Sequence, residues 1–361
     1  MNRMRVAFLC SADSYRGSAV SLLHLAQGLG ARGADVRVIA GSDAVAVPLR
    51  AQGVRVTQLD LSSTSWRAAR AVRATLADAG AMVLFTDRPR DLRLGFLATI
   101  GTTVALINRY NSHAPRPPHD LLTRLAYRFK VRETVFLTRE MAERVLTLAP
   151  WMRRAPHRVI PEGVDDAQFR PDADAAAAFR ARHELDDAPF LLAVGALTSE
   201  KRGEFLIEAV RGVDDAPLLL FCGEGPMRES LAAHAARLGV QVRFIGMFPR
   251  DELRGAYNAA AMLVHACRVE TFGLVVLEAM ACGRPVVGVR GGGLLEVVGT
   301  DGDAGLLADP DDPADMARAI ERVLHDARLS ARLGATARAR AQSRFALTTM
   351  IDGYERAARG A

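Results

Sequence analysis

Short apolar runs alternate with amphipathic stretches along most of the chain. RVAFLC (5–10), DVRVIA (35–40), VRVTQL (54–59), AMVLFT (81–86), TVALIN (103–108) and ETVFLT (133–138) read as strands. A second series follows: FLLAVG (190–195), PLLLFC (217–222), VRFIG (242–246), AMLVHA (261–266) and RPVVGV (284–289). Between them lie stretches of helical character, among them 19–31, 201–211, 226–238 and 272–282. Continuous apolar strands separated by amphipathic helices predict βα units around a parallel sheet, because helices cover both sheet faces. Two such series predict an α/β chain of two doubly wound domains. Pro, Gly and Asp cluster in VIPEGVDDAQFRPDAD (159–174), which marks the link. The expected domains are therefore 1–160 and 161–340. DPDDPADMARAIERVLHD (309–326) opens a late helix with acidic residues where the helix dipole favours them. A last helix occupies 341–361, and periodicity does not say where it docks.

A chain of 361 residues suits two cores better than one. No apolar run approaches the roughly 20 residues that span a bilayer. The apolar part of the N-terminus covers only Val6 to Cys10 before Asp13 and Arg16, so it reads as a first buried strand and not as a signal peptide. The four cysteines, Cys10, Cys222, Cys267 and Cys282, form no CxxC pair and read as buried free thiols of a reducing compartment. Charge is uneven. Residues 1–155 hold 23 Lys and Arg against 11 Asp and Glu, a net of +12, and the remainder holds 24 against 30, a net of −6. Arg67, Arg70 and Arg73 share one helix, and Arg124, Arg128, Lys130 and Arg132 lie near another. This basic half suits an anionic membrane surface or an anionic acceptor. No basic strand studded with aromatics, helix-turn-helix or zinc pattern accompanies it, so nucleic acid is not an expected partner.

The chemistry concentrates where strands end. Ligands of open parallel sheets bind at the carboxyl ends of the strands, and ACRVETFG follows strand 261–266. Glu270 lies at that edge. The expected helix begins at Phe272 and Gly273, leaving their amides and that of Leu274 free to hold an anion. Glu278 follows eight residues after Glu270, and its carboxylate suits vicinal hydroxyls such as those of a ribose. VGALTSEKRGE (194–204) brings Lys201 and Arg202 to another strand end, where cations suit phosphate oxygens. CGEGPMRESL (222–231) is a second strand–loop–helix junction. Its Gly225 is a candidate ligand contact, although the pattern is neither a P-loop nor GxGxxG. Gly17 precedes a helix after the first strand.

These pieces, PEGVDDAQFRP, GALTSEKR, CGEGPMRESL, VRFIGMFPRDEL and ETFGLVVLEAMACGRPVV, resemble in kind and order the retaining glycosyltransferases of family 4, with their E-x7-E signature. The resemblance runs from about 160 to 290, and the N-terminal half shares mainly the Gly17 loop and the βα rhythm. It implies the GT-B architecture: two Rossmann-like domains facing across a cleft, the first on the acceptor side, the second on the donor side, with 341–361 crossing back to the first. It also implies roles. Glu270 would contact hydroxyls of the donor sugar, and the amides of Phe272, Gly273 and Leu274 would hold sugar and phosphates. Glu278 would take the ribose, Lys201 the charge on the leaving diphosphate, Met247 a place beside the base, and Gly17 a place facing the diphosphate. The chain departs from the pattern twice. Ala196 stands where relatives often have an arginine, which leaves Arg202 as the nearest substitute. A histidine often follows the fifth strand, whereas here Asn108 or Arg109 ends the strand and His113 comes several residues later.

The implied activity is retaining transfer of a hexose from a UDP- or GDP-linked sugar to a hydroxyl of a glycan, glycolipid or lipopolysaccharide. No cofactor and no metal are expected: Asp172/Asp174 fall in the link and Asp301/Asp303 in a late loop. The implied setting is cytoplasmic, with peripheral contact at the inner face of the plasma membrane. A nucleotide-sugar epimerase of the same architecture and a non-catalytic nucleotide-sugar binding protein are the alternatives.

Overall fold

The computed structural model describes residues 3–15, 17–111, 117–248, 250–300 and 302–360. Contacts divide the chain into two compact units, Met1–Gly163 with Leu347–Ala361, and Val164–Ala346.

In the first unit β1 (Arg5–Cys10), β2 (Asp35–Ala40), β3 (Val56–Gln58), β4 (Val83–Thr86), β5 (Ala105–Tyr110), β6 (Val131–Phe136) and β7 (His157–Val159) form one parallel sheet in the order β3-β2-β1-β4-β5-β6-β7. The helices between them are α1 (Gly17–Ala31), α2 (Asp43–Ala51), α3 (Trp66–Asp78), α4 (Pro89–Thr99), α5 (Leu121–Phe129) and α6 (Arg139–Leu148). Alternate residues of β1 serve opposite faces of the sheet. Val6, Phe8 and Cys10 join Leu22 and Leu25 of α1, while Ala7 and Leu9 join Val72 of α3 and Leu92 of α4.

The second unit runs α7 (Ala173–Arg182), β8 (Phe190–Val194), α8 (Gly203–Arg211), β9 (Leu218–Cys222), α9 (Arg228–Leu238), β10 (Val242–Phe244), α10 (Arg250–Ala259), β11 (Met262–His265), α11 (Leu274–Ala281), β12 (Val286–Val289), α12 (Leu294–Val298), β13 (Gly305–Ala308), α13 (Pro313–His325) and α14 (Ala327–Arg344). Its six strands are parallel in the order β10-β9-β8-β11-β12-β13. The strand order reverses direction between β1 and β4 in one sheet and between β8 and β11 in the other. Such switch points open crevices at the carboxyl ends of doubly wound sheets.

The final helix, α15 (Leu347–Arg359), packs in the first unit, where Met350, Ile351 and Tyr354 join the cluster of Val6 and Phe8. Arg109 fastens it. The arginine is 1% exposed; its Nε donates to the Tyr354 hydroxyl at 2.9 Å and its Nη1 lies 3.0 Å from Asp87 Oδ1. Nη2 donates to Ser21 Oγ at 2.8 Å and lies 3.8 Å from Glu162 Oε1. This corrects the reading of Asn108 and Arg109 as the end of the fifth strand. β5 starts and ends two residues later than TVALIN, and both side chains lie inside it, buried. A guanidinium can sit there because two carboxylates, a phenol and a hydroxyl satisfy it. β7 and β13, of three and four residues, have no counterpart among the predicted strands.

Candidate functional site

The switch point of the second sheet brings together two loops far apart in sequence. After β8 a 3-10 turn, Ser199–Lys201, delivers the lysine, and Arg202 takes a left-handed conformation (φ 53°) to start α8. After β11 the chain turns through Glu270 before entering α11. Lys201 Nζ donates to Glu270 Oε2 at 2.7 Å, and His265 Nε2, at the end of β11, donates to the same oxygen at 3.1 Å. His265 is 4% exposed and Glu270 8%. A cavity of about 30 Å³, lined in part by Gly195, Ala196, Lys201 and His265, adjoins the cluster.

The electrostatics follow from this geometry. Burial alone would raise the Glu270 carboxyl, but the His265 hydrogen bond and the Lys201 charge outweigh it and hold Glu270 well below the usual carboxylate range. Burial alone would lower Lys201, and the Glu270 charge outweighs it and raises the ammonium above its ordinary value. Both partners are ionised at neutral pH. Cys267 lies beside them, its thiol raised chiefly by burial. The ligating atoms of His265, Cys267 and Glu270 lie within 4.8 Å of one another, a spacing that suits a metal ion. The Lys201 ammonium on Glu270 Oε2 opposes a second cation there.

The helix after Glu270 starts at Leu274, two residues later than predicted. Gly273 is its N-cap in a left-handed conformation (φ 95°, ψ 62°) that glycine adopts without strain. Gly273 has no side chain to cap the first turn, so the helix start suits an anion. Phe272 is a packing residue by its side chain, 2% exposed and edge-on to Phe345 at 5.5 Å. The glycine run Gly291–Gly293 after β12 supports the Glu270 loop: Gly293 N donates to Glu270 O at 2.8 Å, and a Cβ on Gly292 would lie 2.3 Å from that same oxygen.

The other predicted residues are placed as follows. Glu278 lies inside α11, 2% exposed, and its Oε2 accepts from the Tyr257 hydroxyl at 2.8 Å. Arg202 stacks on Phe205 at 4.2 Å, and its Nη1 lies 3.4 Å from the Ala266 carbonyl at the end of β11. Gly225 lies against the Leu197 carbonyl, where the loops after β8 and β9 are bonded to each other. Met247 is 72% exposed beyond β10. Gly17 opens α1 on the surface of the first unit. His113 lies outside the described residues. His265, the second donor to Glu270, and the Gly291–Gly293 loop are not among the predicted site residues. The one hint in the sequence is a polar residue near the carboxyl end of the apolar run AMLVHA.

Residues 176–340 match the family described as Glycosyl transferases group 1, and residues 15–168 match Glycosyltransferase Family 4. Among curated proteins the chain is 37% identical over 192 residues to the GDP-mannose-dependent alpha-(1-6)-phosphatidylinositol monomannoside mannosyltransferase of Mycolicibacterium smegmatis, covering 50% of each. It is 39% identical over 213 residues to the D-inositol 3-phosphate glycosyltransferase of Acidothermus cellulolyticus, covering 54% of this chain and 46% of that one. The chain spans about half the length of the curated relatives it matches. Among solved structures, Anabaena HepE in complex with UDP and glucose superposes with a TM-score of 0.86 at 19% identity, covering 99% of this chain and 100% of that one. WaaG, a glycosyltransferase involved in lipopolysaccharide biosynthesis, superposes with a TM-score of 0.71 at 18% identity, covering 99% and 100%. These likenesses show the fold: two Rossmann-like α/β units of the GT-B type.

Proposed function

The chain belongs to the family-4 glycosyltransferases, and from that premise we propose that it moves a hexose from a UDP- or GDP-linked donor to a hydroxyl of a glycan, glycolipid or lipopolysaccharide, with retention and without a metal. The observation that carries this reading is the Lys201–Glu270–His265 cluster at the switch point of the second sheet. Departure of a nucleoside diphosphate places negative charge on phosphate oxygens, and a fixed cation with a helix start stabilises that charge without reorganising. Lys201 supplies the cation, and the Gly273–Leu274 turn the dipole. Glu270 is ionised and held from two sides, so it positions sugar hydroxyls and does not act as a proton donor. The acceptor oxygen bonds to the anomeric carbon on the face from which the diphosphate departs. The bond to the diphosphate oxygen breaks, its electron pair stays with the diphosphate, and the hydroxyl proton passes to a phosphate oxygen. Glu278, its carboxylate oriented by Tyr257, receives the ribose hydroxyls, and Met247 lies beside the base.

An anionic acceptor is favoured by the basic first 155 residues and by relatives named for phosphorylated molecules. Among the described residues no helix is long and apolar enough to cross a membrane. Work at the inner face of the plasma membrane is therefore proposed as peripheral.

A thermal-shift screen of UDP- and GDP-sugars, with and without EDTA, tests the donor, since the right one raises Tm by mass action. Glu270→Ala and Lys201→Ala are each expected to lower kcat/KM by at least ~100-fold, as for loss of a preorganised charge contact. EDTA should leave the rate unchanged, and the product should keep the donor's anomeric configuration by NMR. Wild-type turnover in Glu270→Ala would overturn the assignment. Donor binding with no transfer to any acceptor would point to a binding protein instead.

A further inference from the structure

At the opposite edge of the first sheet, under the amino ends of the adjacent strands β1, β4, β5 and β6, lies a cavity of about 1230 Å³. Its lining is entirely from the first unit. Arg5 enters from β1, Arg73 from α3, Arg128 and Lys130 from the end of α5, and Arg132 from β6. Arg154 and Arg359 complete the set, and no Asp or Glu lines the cavity among the described residues.

Part of this charge serves the fold. Helices of a parallel sheet end at this edge, and cations there offset free carbonyls. Lys130 Nζ donates to Thr102 O at 2.8 Å, and Arg73 donates to Ile100 O. Arg359 pairs with Glu355 at 2.8 Å, and Arg128 stacks on Phe129 at 5.2 Å. Arg5, Arg132 and Arg154 have no ion pair among the described residues. Seven cations around one hollow repel one another. Burial, and then the nearby Arg73, push the Lys130 ammonium below its ordinary value. The hollow also has an apolar side, because Met82 is 47% exposed and Phe129 65% exposed among its lining residues.

We propose that this cavity binds the phosphate group of an organic phosphate with an apolar portion. The phosphate is held by Arg5, Arg132 and Arg154 and the apolar portion lies on Met82 and Phe129. The site lies at the amino edge of the sheet, away from the carboxyl ends where ligands of such sheets react, so it anchors or regulates and does not contribute to group transfer. It does not depend on the proposed glycosyl transfer. The shared chemistry has two sources, a phospholipid headgroup or a soluble phosphate.

The whole chain would be tested in two arms, against phosphatidylcholine vesicles with and without 30% phosphatidylglycerol, a composition of about the anionic content that attracts basic segments, and against inorganic pyrophosphate by calorimetry. The variants are Arg5→Gln/Arg132→Gln/Arg154→Gln and, as a charge-matched control on exposed positions of the second unit, Arg211→Gln/Arg322→Gln/Arg328→Gln. Removing three charges near an anionic surface is expected to weaken vesicle partitioning about 100-fold. The control should keep most of it, and circular dichroism should match wild type for both. Loss confined to vesicles assigns a lipid headgroup, and loss of pyrophosphate binding alone assigns a soluble phosphate. Equal losses in the two triple variants, or no binding by wild type in either arm, would overturn the proposal.

Discussion

Glu270 stays ionised in a setting whose burial would neutralise it, because Lys201 and His265 share its Oε2. Its folded-state pKa is depressed, so its contribution to stability is complete above the ordinary glutamate value of 4.5 and is lost as pH falls through the lower folded value. The pKa of Lys201 is raised, so its contribution is complete below 10.5 and is lost as pH rises through the higher folded value. Between those limits the pair is intact. Lys201→Met removes the cation and leaves a buried carboxylate with one donor, at a cost of roughly 1–3 kcal/mol. The Glu270 pKa then rises, and the acid limb of the kcat/KM–pH profile should move to higher pH. A profile that keeps its acid limb in place would count against the pairing. The carboxylate and the lysine are legible in the sequence, since both follow a strand and precede a helix. The histidine is not, because inside AMLVHA it reads as the end of an apolar run.

β1 and β2 match the apolar runs residue for residue, whereas β4, β11 and β12, buried at every position, are shorter than theirs. β7 and β13 escaped because three or four residues at a sheet edge carry no period. β5 was displaced by two residues because a charged side chain normally ends an apolar run, and Arg109 is an exception sustained by Asp87, Glu162, Ser21 and Tyr354. Removing that guanidinium strands two buried carboxylates whose pKa values burial already raises. Arg109→Met should therefore cost about 3–5 kcal/mol in a denaturant melt, and Tyr354→Phe about 1 kcal/mol. Similar small losses in both would show that the network does not hold α15.

At the scale of the whole molecule the described residues pack around two sheets. One sheet packs between the clusters of Phe8 and Phe136, and the other carries the cluster of Leu191 and Val264. α15 is last in sequence yet belongs to the first core. Deleting 347–361 should uncover Val6 and Phe8 and raise hydrogen exchange in β1 and α1, while β8 and β11 keep their protection. Loss of protection in both sheets would contradict this division.

From the sequence alone come the two βα series, the strand-end loops with their cations and carboxylates, and the uneven charge. These are local signals, carried by periodicity and by residue type at a boundary. The tertiary structure alone decided which loops meet. Lys201 reaches Glu270 across 69 positions, and Arg109 reaches Tyr354 across 245. It also hollowed out the basic cavity under four strand starts. Such meetings depend on strand order, and no local pattern encodes strand order, because a parallel strand's neighbours are chosen by the packing of the whole sheet.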